Sequence, residues 1–166
     1  MSSLIQTLTA LALVALAAIL LIRAALRKKI TALTIKLDLH VVDDKLTGQV
    51  LNRISGALAR SINWLVTEEG EAVIGKVRSS GDVKYAAIHE FGGVIHHPGG
   101  TAYVVIGGRS VFVSNAKAAV MQVTGRTAPH DITIPKRSFL RSALADMKDE
   151  VVAGIKTAVT EGMSLR

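Results

Sequence analysis

The N-terminal stretch of the chain lacks polarity. Ala10 to Ile22 (ALALVALAAILLI) is apolar without interruption, and extension back to Leu4 adds only Gln6, Thr7 and Thr9 as polar residues. Met1 to Ile22 carries no charged side chain, and Arg23, Arg27, Lys28 and Lys29 follow at once. Alanine and leucine dominate, which favours a helix, and the apolar positions cover every side rather than one stripe. About 20 such residues cross the hydrocarbon core of a bilayer. A secretory signal fits poorly, because its positive charge precedes the apolar run and here the charge follows it. Two settings satisfy such a helix. One is a membrane crossed by residues 4–26, with the C-terminal side cytoplasmic by the positive-inside bias. The other is burial among several protein subunits.

After a junction at residues 30–32 the pattern changes to alternation. Leu33, Ile35, Leu37, Leu39 and Val41 fall on one face, with Thr34, Lys36, Asp38 and His40 on the other. This period of two predicts a half-buried strand and divides the chain into a hydrophobic helix with a basic end, residues 1–30, and a domain of residues 31–166 that is expected to fold without it. Asp43 or Asp44 can cap a helix carrying Leu46, Val50, Ile54 and Leu58. Ile62, Trp64 and Val66 alternate, as do Ala72 and Ile74, which predicts a hairpin over 61–68 and 71–78 turning at Glu69-Gly70; a helix continuing through Trp64 is the alternative. Tyr85 to Phe91 reads as one or two helical turns stopped by Gly92 and Gly93. His96 to Gly100 reads as a loop. Residues 102–106 and 109–113 form a second hairpin around Gly107-Gly108, and residues 114–137 read as irregular. A last helix, capped by Ser138, runs to about Glu161 with Leu140, Leu144, Met147, Val151, Ile155 and Val159 as its apolar stripe. The fold class is therefore α+β: a small antiparallel sheet with two packed helices behind a long hydrophobic N-terminal helix.

Composition narrows the chemistry. The 166 residues include no cysteine, which removes disulfides, thiolate metal sites and cysteine nucleophiles. Lysine and arginine number 20 against 13 acids, a net charge of +7 that favours an anionic partner such as nucleic acid, an acidic protein surface or lipid headgroups. Aromatics make up only 4% of the chain, too few for a base-stacking platform, so contact with nucleic acid would be with its backbone. Positive charge gathers twice: at Arg23 to Lys36, and at Arg109, Lys117, Arg126, Lys136, Arg137 and Arg141, where Asp131 is the sole acid. A solvated face explains both groups; a surface for acidic protein or DNA is the sharper reading of the second.

His89-Glu90 invites comparison with metalloprotease helices, but the second histidine those require four residues on is replaced by Gly93. His89, Glu90, His96 and His97 are left as the candidate set for a small metal-dependent hydrolase, against the plainer reading of polar loop sequence. There is no nucleophile elbow and no phosphate-cradling glycine loop. Glu68, Glu69 and Glu71 crowd a hairpin tip, where solvation is the expected role. No catalytic, cofactor-binding or metal-binding residues are assigned, and the chain is expected not to be an enzyme.

Three stretches in order carry a likeness: Ser55-Gly-Ala-Leu-Ala-Arg-Ser-Ile62, then Tyr85-Ala-Ala-Ile-His-Glu-Phe-Gly-Gly93, then Ile134-Pro-Lys-Arg-Ser-Phe-Leu-Arg-Ser-Ala-Leu144. The order resembles the virion-morphogenesis, or tail-completion, family of tailed bacteriophages. The resemblance covers roughly residues 33 to 160. Ser55 stands where threonine is usual and Ser138 where proline is common, and the N-terminal helix is not a usual feature of that family. The resemblance implies a structural protein at the head–tail junction or tail end, in the virion and, during assembly, in the host cytoplasm. Its implied partners are other neck or tail proteins, further copies of itself in a ring, and the backbone of passing DNA. The motif residues Tyr85, His89, Glu90, Phe91, Gly92, Pro135, Phe139 and Leu140 then make a packing or interface signature. On their chemistry alone Tyr85 and Phe91 can anchor a short helix to a sheet, and Phe139 can plug the core. A membrane-anchored cytoplasmic binding domain is the alternative.

Overall fold

A single helix sets the frame. The computed structural model describes residues 2–81 and 83–164, with side chains from residue 5 onward. Met1, the side chains of Ser2, Ser3 and Leu4, and Asp82, Leu165 and Arg166 lie outside the described part, and with them the ends of the expected 1–30 and 31–166 regions and the first side chain of the expected span 4–26. Helix α1 runs unbroken from Ser2 to Leu39, so the junction at 30–32 and the strand from Leu33 to Val41 are both corrected. The reason is legible in the burial. Leu33, Thr34 and Val41 are buried and Leu37 is half-buried, which is spacing of three and four, while Ile35 and Leu39 are exposed. The alternation was the accidental overlap of two periods. No glycine or proline interrupts residues 2–39, so a helix already nucleated upstream propagates through them.

Wide helical turns continue from His40 to Gln49, where the chain leaves helical geometry at Thr47 and Gly48. A short α2 (Ala57–Ser61) leads into the hairpin of β1 (Ile62–Glu69) and β2 (Ala72–Ser79), paired from Ile62↔Ser79 to Glu69↔Ala72; the hairpin is the expected one, but it turns at Gly70-Glu71, one residue beyond Glu69-Gly70. Then come α3 (Tyr85–Phe91), β3 (Gly93–His97), β4 (Ala102–Ile106), β5 (Arg109–Phe112), α4 (Asn115–Ala118), β6 (Gly125–Arg126), β7 (His130–Ile134), α5 (Leu140–Asp146) and α6 (Lys148–Ser164). The fold is α+β, but its strands form three small antiparallel sheets in place of one: β1-β2, β3-β7 and β5-β4-β6. His96 and His97 thus lie in a strand, and residues 114–137 contain α4, β6 and β7, both differing from the expected loops. The last helix is two, divided at the buried Met147.

The chain forms two compact units, residues 1–90 with 137–166, and residues 91–136. The core of the first gathers Val41, Leu46, Leu51, Ile62, Ala86, Phe139 and Ala143. Its C-terminal helix lies along α1 through small residues. Gly154, Ala158 and Gly162 are the buried positions of α6, while Leu144 and Ile155 of the expected stripe are exposed. A Cβ on Gly162 would stand 2.6 Å from the Ile22 backbone, and one on Gly154 would stand 3.2 Å from a Leu33 methyl. The hairpin approaches α1 as closely, where Gly75 faces Thr34. Its tip is held there too. Arg23 reaches Glu68 at 2.9 Å and the Gly70 carbonyl at 2.7 Å, and Arg27 reaches Glu68 at 2.9 Å. Glu68 is therefore paired, not merely solvated, and part of the first basic cluster is spent inside the fold. Residues 22–33 pack on α6 and the hairpin, so a cut at 30–33 would strip α6 of its support.

Gly162→Val is expected to force α6 off α1, at a cost of about 1–3 kcal/mol, and so to lower the melting temperature by several degrees. Thermal unfolding followed by circular dichroism checks it; a variant that melts with the parent would show that the seam does not need its small residue.

Candidate functional site

Ser55 to Ile62, Tyr85 to Glu90 and Arg137 to Leu144, most of the three stretches singled out in the sequence, lie in the first unit, where Ile62, Ala86 and Phe139 share the core. α3 ends at Gly92, whose φ of 74° suits glycine and where a Cβ would crowd the Lys136 backbone nitrogen at 2.9 Å. Just before that turn, the Glu90 side chain points inward and the residue is only 4% exposed. One carboxylate oxygen of Glu90 accepts from the Ser138 hydroxyl at 2.6 Å, the Arg141 N–H at 3.2 Å and the Arg141 Nε at 3.0 Å. The other accepts the N–H groups of Phe139 at 2.8 Å and Leu140 at 2.9 Å. The Arg141 guanidinium also donates to the Glu90 carbonyl at 3.1 Å, and the Arg137 N–H to the His89 carbonyl at 2.7 Å.

This is a helix cap supplied by another helix. The first N–H groups of α5 have no partners within the helix, and α5 has no side-chain cap of its own. The expected cap, Ser138, donates its hydroxyl to Glu90 instead. A carboxylate is also the right charge for that end of the helix dipole. Burial pushes the Glu90 carboxyl upward, but the Ser138 hydroxyl, the Leu140 N–H and the Arg141 side chain and N–H outweigh it and hold the carboxyl below its ordinary value. With the helix so fixed, Phe139 enters the core at 0% exposure.

The third stretch supports the same core. Ser61 is buried, donates to the Leu58 carbonyl at 2.7 Å and shares a 2.8 Å hydrogen bond with Ser79, while Ile62 joins the core cluster. A second polar contact joins the wide turns to α5. Lys45 meets Asp146 at 2.5 Å, and His40 lies between Asp44 at 2.5 Å and Asp146 at 3.1 Å.

Other motif residues behave differently from expectation. Tyr85 is 44% exposed and Phe91 65% exposed, so neither is a buried anchor. Tyr85 sits edge-on to His89 with ring centroids 5.9 Å apart. Both line a cavity of about 330 Å³ walled by Leu46, Leu51, Ile54 and Leu58. Pro135 is exposed and Leu140 is half-buried against the core.

No protein-family model, curated protein or solved structure matches this chain.

The candidate hydrolase set is divided between the two units, with His89 and Glu90 in the first and His96 and His97 in the second. Among the described residues, no three or more His, Cys, Asp or Glu side chains converge to hold a metal ion. In the second unit His96 contacts Asp131 at 2.6 Å. His97 stacks on His130, with centroids 5.0 Å apart, and accepts the Gly99 N–H at 3.0 Å. The basic residues divide as well. Arg109, Lys117, Arg126 and Lys136 belong to residues 91–136, and Arg137 and Arg141 to the first unit. Arg126 donates to the Gly100 carbonyl at 2.7 Å, and Arg141 serves Glu90. Arg109, Lys117, Lys136 and Arg137 are exposed.

Sequence reasoning missed two features. The spacing Gly154-x-x-x-Ala158-x-x-x-Gly162 was visible as a small-residue ridge, since positions four apart share a helix face. Glu90 was visible as the sole acid in a short apolar helix, but its partners lie about fifty residues away.

Proposed function

We propose that this chain is a non-enzymatic virion assembly protein that joins or completes the tail of a tailed bacteriophage, at the head–tail junction or the tail end. The observation that carries the reading is the Glu90 cap. Two of the three stretches behind the family resemblance are bonded to each other through it, with Glu90 taking Ser138, Phe139, Leu140 and Arg141. The polar group that looked most like a catalytic acid is fully engaged in holding a helix. A motif used for packing is what a structural protein would keep.

Work as a ring of copies alongside neck or tail proteins is supported by the second unit. Among residues 91–136 Ala102 alone is buried, while Val105, Ile106, Phe112 and Val120 are exposed. Covering each such side chain contributes roughly 1.5–3 kcal/mol, so this unit has much to gain from neighbouring subunits. The outer edge of β5 is also unpaired within its sheet, and an open edge accepts another strand. Exposed Arg109, Lys117 and Lys136 on the same unit suit the phosphate backbone of passing DNA.

Mass spectrometry of purified particles is the test. The protein is expected in the virion at a fixed copy number, and particles made without it are expected to carry heads and tails that fail to join or finish. Its absence from particles whose assembly does not need it would end the proposal.

A further inference from the structure

Residues 5–17 of α1 are exposed throughout. Leu8, Leu11, Leu13, Val14 and Leu16 are each more than half exposed. At about 100° per residue these five point at roughly 60–100° intervals around the whole helix. The segment from Ile5 to Ile22 spans about 27 Å at 1.5 Å per residue, close to the roughly 30 Å of a bilayer's hydrocarbon core. Its mean hydropathy is 2.5.

The body starts abruptly where this segment stops. Gly162 brings α6 against Ile22, and one residue later Arg23 ties the tip of the β1-β2 hairpin to the helix. Arg23 and Arg27 share the single carboxylate of Glu68, which leaves that group one net positive charge, and Arg27 and Lys28, on the body side of that line, are exposed. A length of one hydrocarbon core, apolar on all sides, ending in a cationic collar at the edge of a folded domain, matches a bilayer with anionic headgroups. A second copy is a poorer occupant. Helices that pair in water cover one stripe and keep polar residues opposite, and Ala10 to Ile22 has no polar residue to place there.

We infer that residues 5–22 insert across an anionic lipid bilayer, with the collar of Arg27 and Lys28 at the headgroups and the folded body on the cytoplasmic side. The inference stands on α1 alone and does not depend on the tail role.

Flotation of the full chain tests it, using vesicles of phosphatidylcholine with and without phosphatidylglycerol. The parent is expected to float with both, more completely with the anionic vesicles, and to stay bound through high salt and alkaline carbonate. The double variant Leu13→Arg, Leu16→Arg changes side chains that touch nothing in the body. It is expected to keep the parent's melting temperature and to lose more than tenfold of the floated fraction. A parent that forms a discrete detergent-free particle and ignores both vesicles would overturn the inference in favour of burial by protein. So would a double variant that floats as well as the parent. Should the double variant fail to fold, the partitioning of the parent still decides. Detection of the protein in virions bears on the tail role separately, so either idea can fail alone.

Discussion

Glu90→Ala is expected to destabilise the fold by on the order of 3 kcal/mol, since each buried N–H left without its acceptor costs about 1–3 kcal/mol. The substitution strands the N–H groups of Phe139, Leu140 and Arg141, which Glu90 now satisfies, while the half-exposed Arg141 guanidinium keeps its bond to the carbonyl of residue 90. Glu90→Gln keeps one acceptor oxygen and the shape, and should lose less. Because the Glu90 carboxyl is held below its ordinary value, its contribution is fully present above the unfolded value of about 4.3 and is lost as pH falls through the lower folded value. The parent should therefore lose stability in acid below about pH 4.3 more steeply than Glu90→Gln does. Urea unfolding across an acid pH series measures both effects. Parallel curves for parent and Gln variant, or an Ala variant as stable as the parent, would show that the cap carries little of the stability.

Phe139→Ala is expected to cost about 3–5 kcal/mol, much of the 5–15 kcal/mol that holds a typical domain together. Phe139 is fully buried in the cluster of Val41, Leu46, Leu51, Ile62, Ala86 and Ala143, which joins α1's continuation, β1, α3 and α5. Tyr85→Ala, at a half-exposed cavity wall, should unfold close to the parent. Denaturant titration of the two variants separates them. Equal losses would mean that the exposed ring of Tyr85 is as structural as the buried one of Phe139.

Those two aromatics also show where the sequence was legible. Local signals were reliable where chain neighbours make the element. Gly70, with Glu71 where Glu69 was expected, and Gly107-Gly108 each turn a hairpin, and Gly92 stops α3. Phe139, opening an apolar helix, was correctly placed in the core. Signals failed where distant partners decide. Leu33 to Val41 satisfied a strand's alternation and a helix's face together, and the helix upstream settled the matter. β3 and β7 are separated by more than thirty residues, so the pairing that turns His96 and His97 into strand positions has no local cue. Tyr85 and Glu90 share a short helix, yet the aromatic faces outward and the acid inward, because the acid meets the open end of α5. Hydrophobicity alone would have reversed them.

The continuity of α1 has a mechanical consequence. Its 38 residues make a single rod about 57 Å long at 1.5 Å per residue, with no breaker between the uncovered end and Leu37, which packs against the Phe139 cluster. Neither glycine nor proline supplies a hinge between residues 2 and 39. A pull or tilt applied near Leu8 is therefore delivered undamped to the heart of the domain, and the protein transmits torque from whatever holds its first helix to whatever its body grips.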